Sequence, residues 1–266
     1  MSTIDSFFES VQLPSIPDLA HSLIKTLNDE DASLEEVSDL ITRDPAISAK
    51  LLRLANSAQF GLRRSIGSIE DAIAMVGMHK VRTLALGACM SGSFPNLPGI
   101  DAHAFWKTSM ASAGYSEWIA RKVSVDVPLS WLTGMMVRLG ELLIAQAQPK
   151  ILLEIEKLPR PPGTRWQRER QLIGFTEGQL TAELALRWNF PMQMVQALKV
   201  SADPLEDQAF SKLGAIVHIA GLLADTPNAG PEHVKDLPSD VLAALSLDPE
   251  WMREHFPSNA DFIDAS

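Results

Sequence analysis

The side chains able to do chemistry are few and scattered. Six histidines, His21, His79, His103, His218, His233 and His255, occur without an HExxH, an HxH or a His-Asp doublet. No two of them therefore have a spacing that puts two imidazoles on one metal, and each is expected as a surface or hydrogen-bonded core residue. Cys89 is the single thiol, which excludes an intramolecular disulfide and a cysteine zinc site and suits a reducing compartment. Its apolar surroundings offer no base to activate it. A phosphate loop, a Gly-x-Ser-x-Gly elbow and a dinucleotide fingerprint are all missing. The expected catalytic residues, metal ligands and cofactors are therefore none.

Charged residues carry more information. Asp44, Glu70 and Asp71 stand at the starts of apolar-periodic runs, where a carboxylate accepts orphan amide protons, so capping explains them without catalysis. Lys157, Arg160, Arg165, Arg168 and Arg170 surround Trp166 and could meet a phosphate or an acidic surface. A solvated loop and helix face is the preferred expectation for them, because a net charge of −10 opposes nucleic acid as a partner. Arg138 is different. It interrupts an otherwise apolar run and must be paired or reach water, and Glu141, three residues on, lies on the same helical face.

The elements that must position these residues read as helices throughout. Leu19, Leu23, Ile24 and Leu27 repeat at helical intervals behind Pro17, predicting a helix over 17–28. Ser33 with Glu36 forms a capping-box pattern ahead of Leu34, Val37, Leu40 and Ile41. Asp44 followed by Pro45 starts a third helix that should stop by Gly61, and Ser68 caps a fourth that ends at Gly77. Further helices are expected over 78–90, 102–122, 129–147, 165–173, 179–188, 192–200 and 208–224. Nothing alternates with period two, so the fold class is all-α.

The uncharged, Pro- and Gly-rich stretch 91–99 reads as a connection between two helical lobes. We divide the chain into an N-terminal lobe over 10–94, a second lobe over 100–224 and a peripheral tail over 225–266 with two short surface helices. The first nine residues carry Asp5 and Glu9 and no basic residue, unlike a secretory leader, and no ~20-residue apolar span is expected to cross a membrane. With 46% hydrophobic residues, disorder is excluded, and a cytoplasmic location is expected.

Four phrases then carry a resemblance: Leu13-Pro14-Ser15-Ile16-Pro17, Ile41-Thr42-Arg43-Asp44-Pro45, Leu51-Leu52-Arg53-Leu54-Ala55-Asn56-Ser57-Ala58, and Ser68-Ile69-Glu70-Asp71-Ala72-Ile73. In order and spacing they resemble the HD-related output domain (HDOD) family of bacterial signalling proteins. The similarity continues through Phe105-Trp106-Lys107, the 134–143 segment and Arg187-Trp188-Asn189-Phe190-Pro191, to about Ala224. Its signature positions here include Asp44, Pro45, Asn56 and Ser57, to which we assign a structural role. The resemblance implies an N-terminal helical lobe packed on an HD-phosphohydrolase-like lobe.

Related hydrolases need a His, a His-Asp doublet and a later Asp to hold the divalent metals that activate water. The resemblance puts the first His at Thr108, the doublet at Val137 and Arg138, a further His at Glu177 and the last Asp at Gly221. Valine cannot coordinate, and a guanidinium repels a divalent cation. We expect an ion pair of Arg138 with Glu141 or Glu177 where the metal would sit.

The expected function is a non-catalytic regulatory scaffold that binds another bacterial signalling protein, in two-component or cyclic-di-GMP pathways by resemblance alone. The alternative is a degenerate metal-dependent phosphohydrolase or a nucleotide-binding sensor. Contact with nucleic acid through 157–170 is a weaker third reading.

Overall fold

Local chemistry sets most helix starts. The structure, a computed structural model, describes residues 4–27, 32–56, 66–94, 97–206 and 209–257, and every regular element among them is helical. α1 (Ile4–Glu9) precedes α2 (Asp18–Leu27). α3 (Leu34–Thr42) begins where the Ser33 hydroxyl accepts the Glu36 N–H. α4 (Pro45–Ala55) begins at the Asp44 carboxylate, which accepts the N–H groups of Ala46 and Ile47 at 3.0 and 3.1 Å. α5 (Ile69–Val76) is capped by Ser68 and stops at Gly77, whose φ of 88° is open to glycine and costly for other residues. α6 (Met78–Ser93) closes the N-terminal lobe.

The second lobe holds α7 (Ala102–Val123), α8 (Val127–Met136), α9 (Leu139–Ala147), α10 (Pro149–Ile155), α11 (Thr164–Leu172), α12 (Glu177–Arg187), α13 (Met192–Lys199) and α14 (Lys212–Asp225). α1 and α10 have no counterpart in the expected pattern, because six or seven residues give too few turns for a periodicity. The expected single helix over 129–147 is two helices, α8 and α9, broken at Val137 and Arg138. Arg138 has left the α-helical region at φ −89°, ψ 0°.

Tertiary contacts make that break. The Thr181 hydroxyl on α12 accepts the Gly140 N–H at 2.8 Å and shares its proton between the carbonyls of Val137 at 3.0 Å and Glu177 at 2.9 Å. The backbone groups freed by the break are thus satisfied from a neighbouring helix. Gly140 permits the approach: a Cβ there would lie 2.1 Å from the Glu177 carbonyl oxygen. The 21-residue stretch Val127–Ala147 is apolar and long enough by composition to cross a membrane, yet it is mostly buried within the protein.

One hydrophobic cluster runs across both lobes. It joins Leu23, Ile41, Leu51 and Leu84 of the first to Leu132, Leu143, Leu180 and Leu198 of the second. Gly87 of α6 lets the α8 side chains Trp131 and Met135 reach its backbone.

The tail expected at the periphery is part of a second core. A 3-10 helix (Pro231–Asp236), α15 (Ser239–Ala244) and α16 (Pro249–Glu254) bury Val234, Val241, Leu242, Leu245, Leu247 and Met252 against Ile119 of α7 and Ile216, Ile219 and Leu223 of α14. Trp251 stacks on Trp118 at 5.4 Å, and the Lys122 ammonium lies 4.8 Å over its ring. Pro and Asp in this stretch mark the starts of short helices rather than exposure. Each fully buried aliphatic chain contributes about 1.5–3 kcal/mol, so the segment holds α7 to α14.

Candidate functional site

Five elements converge at the break between α8 and α9. The break aims Arg138 inward, the first turn of α9 supplies Glu141, α11 supplies Arg165 and Glu169, α12 begins with Glu177, and α14 ends with Asp225. α12 starts here because Thr176 and Gln179 form a reciprocal capping box, which fixes the first residue of the helix.

Arg138 donates through Nε and Nη2 to Glu141 Oε2 at 3.2 and 2.8 Å, and through Nη1 to Asp225 Oδ1 at 2.5 Å. Arg165, only 1% exposed, donates from Nε to Glu169 and Glu177, each at 3.0 Å, and from Nη1 to Glu156 at the C-terminal end of α10. Its Nη2 lies 3.3 Å from Glu141 Oε2, within ion-pair range although not aligned as a hydrogen bond. The Trp166 indole donates to Glu177 Oε1 at 3.3 Å, and the Glu177 N–H donates to Glu169 Oε2 at 2.7 Å. Arg160 closes the rim on Glu156.

Three guanidinium groups thus face five carboxylates, an acidic surplus in a buried setting. Burial opposes the charge on Arg138 and Arg165, but the surrounding carboxylates outweigh it and hold both above the ordinary arginine range. Burial also works against Glu141, which Arg165 and Arg138 nevertheless hold below the usual carboxylate value. Glu169 goes the other way: burial, then the Glu177 charge, push it up to about 8. Glu177 is raised by burial as well. Of the five carboxylates, Glu169 and Glu177 are thus the ones whose ionisation burial opposes most, while both Glu169 oxygens accept hydrogen bonds, from the Arg165 Nε–H and the Glu177 N–H.

The residues expected from the sequence do not all meet. Thr108 is half-buried, bonds the Ala104 carbonyl of its own helix at 3.0 Å and takes no part in the network. Val137 is buried, with its carbonyl on Thr181. Of the two carboxylates expected beside Arg138, Glu141 is bonded to it directly, whereas Glu177 is bonded to Arg165. Gly221 packs on the Trp166 ring. One turn further along α14, Asp225 holds Arg138.

Arg165, Glu169, Glu156 and Asp225 were not singled out as network residues by sequence. The i,i+4 spacing of Arg165 and Glu169, and a carboxylate at the unfavourable C-terminal end of a helix, were the available signals. The basic run expected on a solvated face is partly consumed internally. Arg165 is buried, and Arg168 donates to the carbonyls of Ile155 at 2.9 Å and Pro159 at 2.7 Å.

Signature residues elsewhere serve the backbone. Asn56 donates to the carbonyls of Leu52 and Ile66 and accepts the Ile66 N–H at 2.7 Å, tying the end of α4 to Ile66 ahead of α5. Asp44 caps α4, and Pro45 is its first residue. Ser57 lies outside the described residues.

These residues do not fit a divalent metal. No cluster of His, Cys, Asp and Glu among the described residues could hold one, and the carboxylates that converge here are turned onto guanidinium groups.

The described residues form an all-helical fold of the HD-like kind. The HDOD domain model matches residues 13–204, and the chain belongs to the HDOD family. Similar solved folds include an HDOD domain protein of unknown function from Geobacter sulfurreducens, at 20% identity and TM-score 0.78, covering 94% of this chain and 90% of that one. A candidate phosphohydrolase from Shewanella amazonensis SB2B aligns at 24% identity and TM-score 0.77, covering 97% and 95%. A candidate signal transduction protein from Marinobacter aquaeolei VT8 aligns at 20% identity and TM-score 0.74, covering 96% of this chain and 58% of that one.

Among curated proteins, an uncharacterized protein of Treponema pallidum is 22% identical over 200 residues, 70% of this chain. Uncharacterized protein YuxH of Bacillus subtilis is 27% identical over 158 residues, 56% of this chain. The matched regions span 37% and 38% of the lengths of those two relatives.

Proposed function

We propose that this chain is a non-catalytic regulatory module of bacterial signal transduction, a helical scaffold that binds another signalling protein in the cytoplasm. The observation that carries the reading is the place of Arg138. A guanidinium stands where the family resemblance expects a metal-binding aspartate, and it is held there by Glu141 and Asp225. One fixed cation joins α9 to α14 as a bound metal would, without a site at which water could be activated. Family membership supports a signalling context. Two-component or cyclic-di-GMP pathways are the settings this resemblance suggests, and a net charge of −10 favours a protein partner over nucleic acid.

Against the alternative of a degenerate metal-dependent phosphohydrolase speaks the same arginine. A divalent cation beside it would meet repulsion of several kcal/mol at an effective dielectric of about 20. The test is elemental analysis of the purified chain after exposure to Mn²⁺, Fe²⁺ and Zn²⁺, with hydrolysis of bis(p-nitrophenyl) phosphate and cyclic dinucleotides followed in parallel. The expected outcome is sub-stoichiometric metal and no turnover above buffer. Metal retained at one or two equivalents with turnover would sink the proposal. Capture of one reproducible signalling partner by the full chain is the positive counterpart.

A further inference from the structure

Beside the ion network, and sharing Trp166 with it, lies a cavity of about 640 Å³. It is bounded by α11, the 202–205 loop, α14 and the C-terminal 3-10 helix with α15. That volume is in the range of small-molecule sites, about 300–1,000 Å³. The Trp166 ring forms part of an apolar wall with Leu222 and Val241, and the His218 ring lies 4.9 Å from it, tilted by 33°.

His218 is only 8% exposed, and its remaining polar atom looks for a partner. Its Nδ1 sits 2.8 Å from the Ser201 carbonyl, which can only accept, so Nδ1 carries the ring proton. Burial holds this imidazole below its ordinary pKa and therefore neutral, which leaves Nε2 as a bare acceptor in a residue that lines the cavity. No protein partner for Nε2 occurs among the described residues.

The charged lining is predominantly acidic. Asp203, Asp236 and Asp240 contribute carboxylates, and none of them is in an ion pair among the described residues. Among the described residues Asp240 accepts only the adjacent Val241 N–H, at 2.9 Å. The lining also includes one guanidinium, Arg170, and His233, whose Nδ1 is already engaged by the Gly230 N–H at 3.1 Å. Acceptors are in surplus, so a complementary occupant brings donors, positive charge and a flat apolar body.

We propose that this cavity binds a small organic cation with an aromatic body, of the amidinium or arylalkylammonium class, seated against Trp166 with its charged head toward Asp203, Asp236 and Asp240. The Trp166 indole reports to Glu177 through its hydrogen bond, so occupancy here reaches the buried ion network without any chemistry at it.

The test titrates the ¹⁵N-labelled full chain with benzamidine and, separately, with benzoate, following the Trp166 indole N–H assigned with Trp166→Phe. Benzamidine is expected to shift that resonance saturably in roughly the millimolar range, as fragments of this size do. Asp236→Asn and Asp240→Asn, both at exposed positions where folding is not at stake, are each expected to weaken it up to about fivefold. Three results would overturn the proposal: no saturation by roughly 10 mM, benzoate binding as tightly as benzamidine, or benzamidine affinity unchanged when both aspartates are replaced. The wild-type comparison of cation with anion decides the matter even if a variant were to misfold.

Discussion

Arg138 and Asp225, 87 residues apart in sequence, are joined by an Nη1–Oδ1 bond of 2.5 Å between the α8–α9 break and the last residue of α14. Each side chain is about 10% exposed. The bond explains why a carboxylate occupies a helix C-terminus, where the helix dipole alone would disfavour it: the guanidinium more than offsets the half negative charge of the helix end.

Removing one partner of this pair should be costly. Asp225→Ala is expected to destabilise the fold by about 3 kcal/mol, because Arg138 stays buried with Glu141 as its one remaining direct partner. Replacing both, as Arg138→Met with Asp225→Ala, should cost less than the sum of those two single changes, a coupling of about 1–3 kcal/mol. Urea denaturation of the four proteins measures this, and strict additivity would show the pair to be energetically idle.

Acidity of the network predicts a pH dependence. The Glu169 carboxyl is pushed up to about 8 by burial and then by Glu177, against an ordinary 4.5. Between those values the folded chain holds a proton that the unfolded chain has released, so this group's contribution is full below about pH 4.5 and is lost as pH rises toward 8. The slope reaches at most about 1.4 kcal/mol per pH unit. Denaturation at intervals from pH 5 to 9 should show stability falling in that window, and Glu169→Gln should flatten the fall. Glu141, depressed by Arg165 and Arg138 against its burial, acts in the opposite sense and loses its contribution as the solution becomes more acid than its depressed pKa.

Close helix approach predicts a contrast between two glycines. Gly140→Ala sets a Cβ against the Glu177 carbonyl and carbonyl carbon, both backbone atoms that cannot swing aside. A loss of about 3 kcal/mol or more is expected, as for other overpacked sites. Gly92→Ala on α6 meets nothing within 4 Å and should gain about 0.5–1 kcal/mol from helix propensity. Thermal melts of the two variants should move in opposite directions.

Asn56 gives a further prediction in the N-terminal lobe. Its amide bonds both polar groups of Ile66 while also returning to Leu52. Asn56→Ala should cost about 1–3 kcal/mol, and Asn56→Asp should recover part of it, since the acceptor for the Ile66 N–H survives. Equal stability of Asn56→Ala and the natural chain would remove its structural role.

Helix starts were legible without coordinates wherever a short polar side chain met an apolar stripe. Ser33, Asp44 and Ser68 act through amides two or three residues away, so the neighbouring sequence contains the whole interaction. Arg138 and Glu141 were legible for the same reason, being one turn apart. The break between α8 and α9 was not, because Thr181, which satisfies it, lies on another helix and leaves no mark on the apolar pattern of 129–147. The tail was misread as peripheral because helices of six residues have too few turns to display a stripe, although every one of them buries its apolar side.

Composition and periodicity were enough to fix an all-helical chain with no metal-ligand spacing, and the quoted motifs to suggest its family, since these depend on residue type and nearest turns. Which carboxylates meet which arginines was decided only in three dimensions. A charge in a buried helix demands a partner, but Coulombic attraction acts through space, and the chain alone does not say whether Glu177 or Asp225 will be the nearer one.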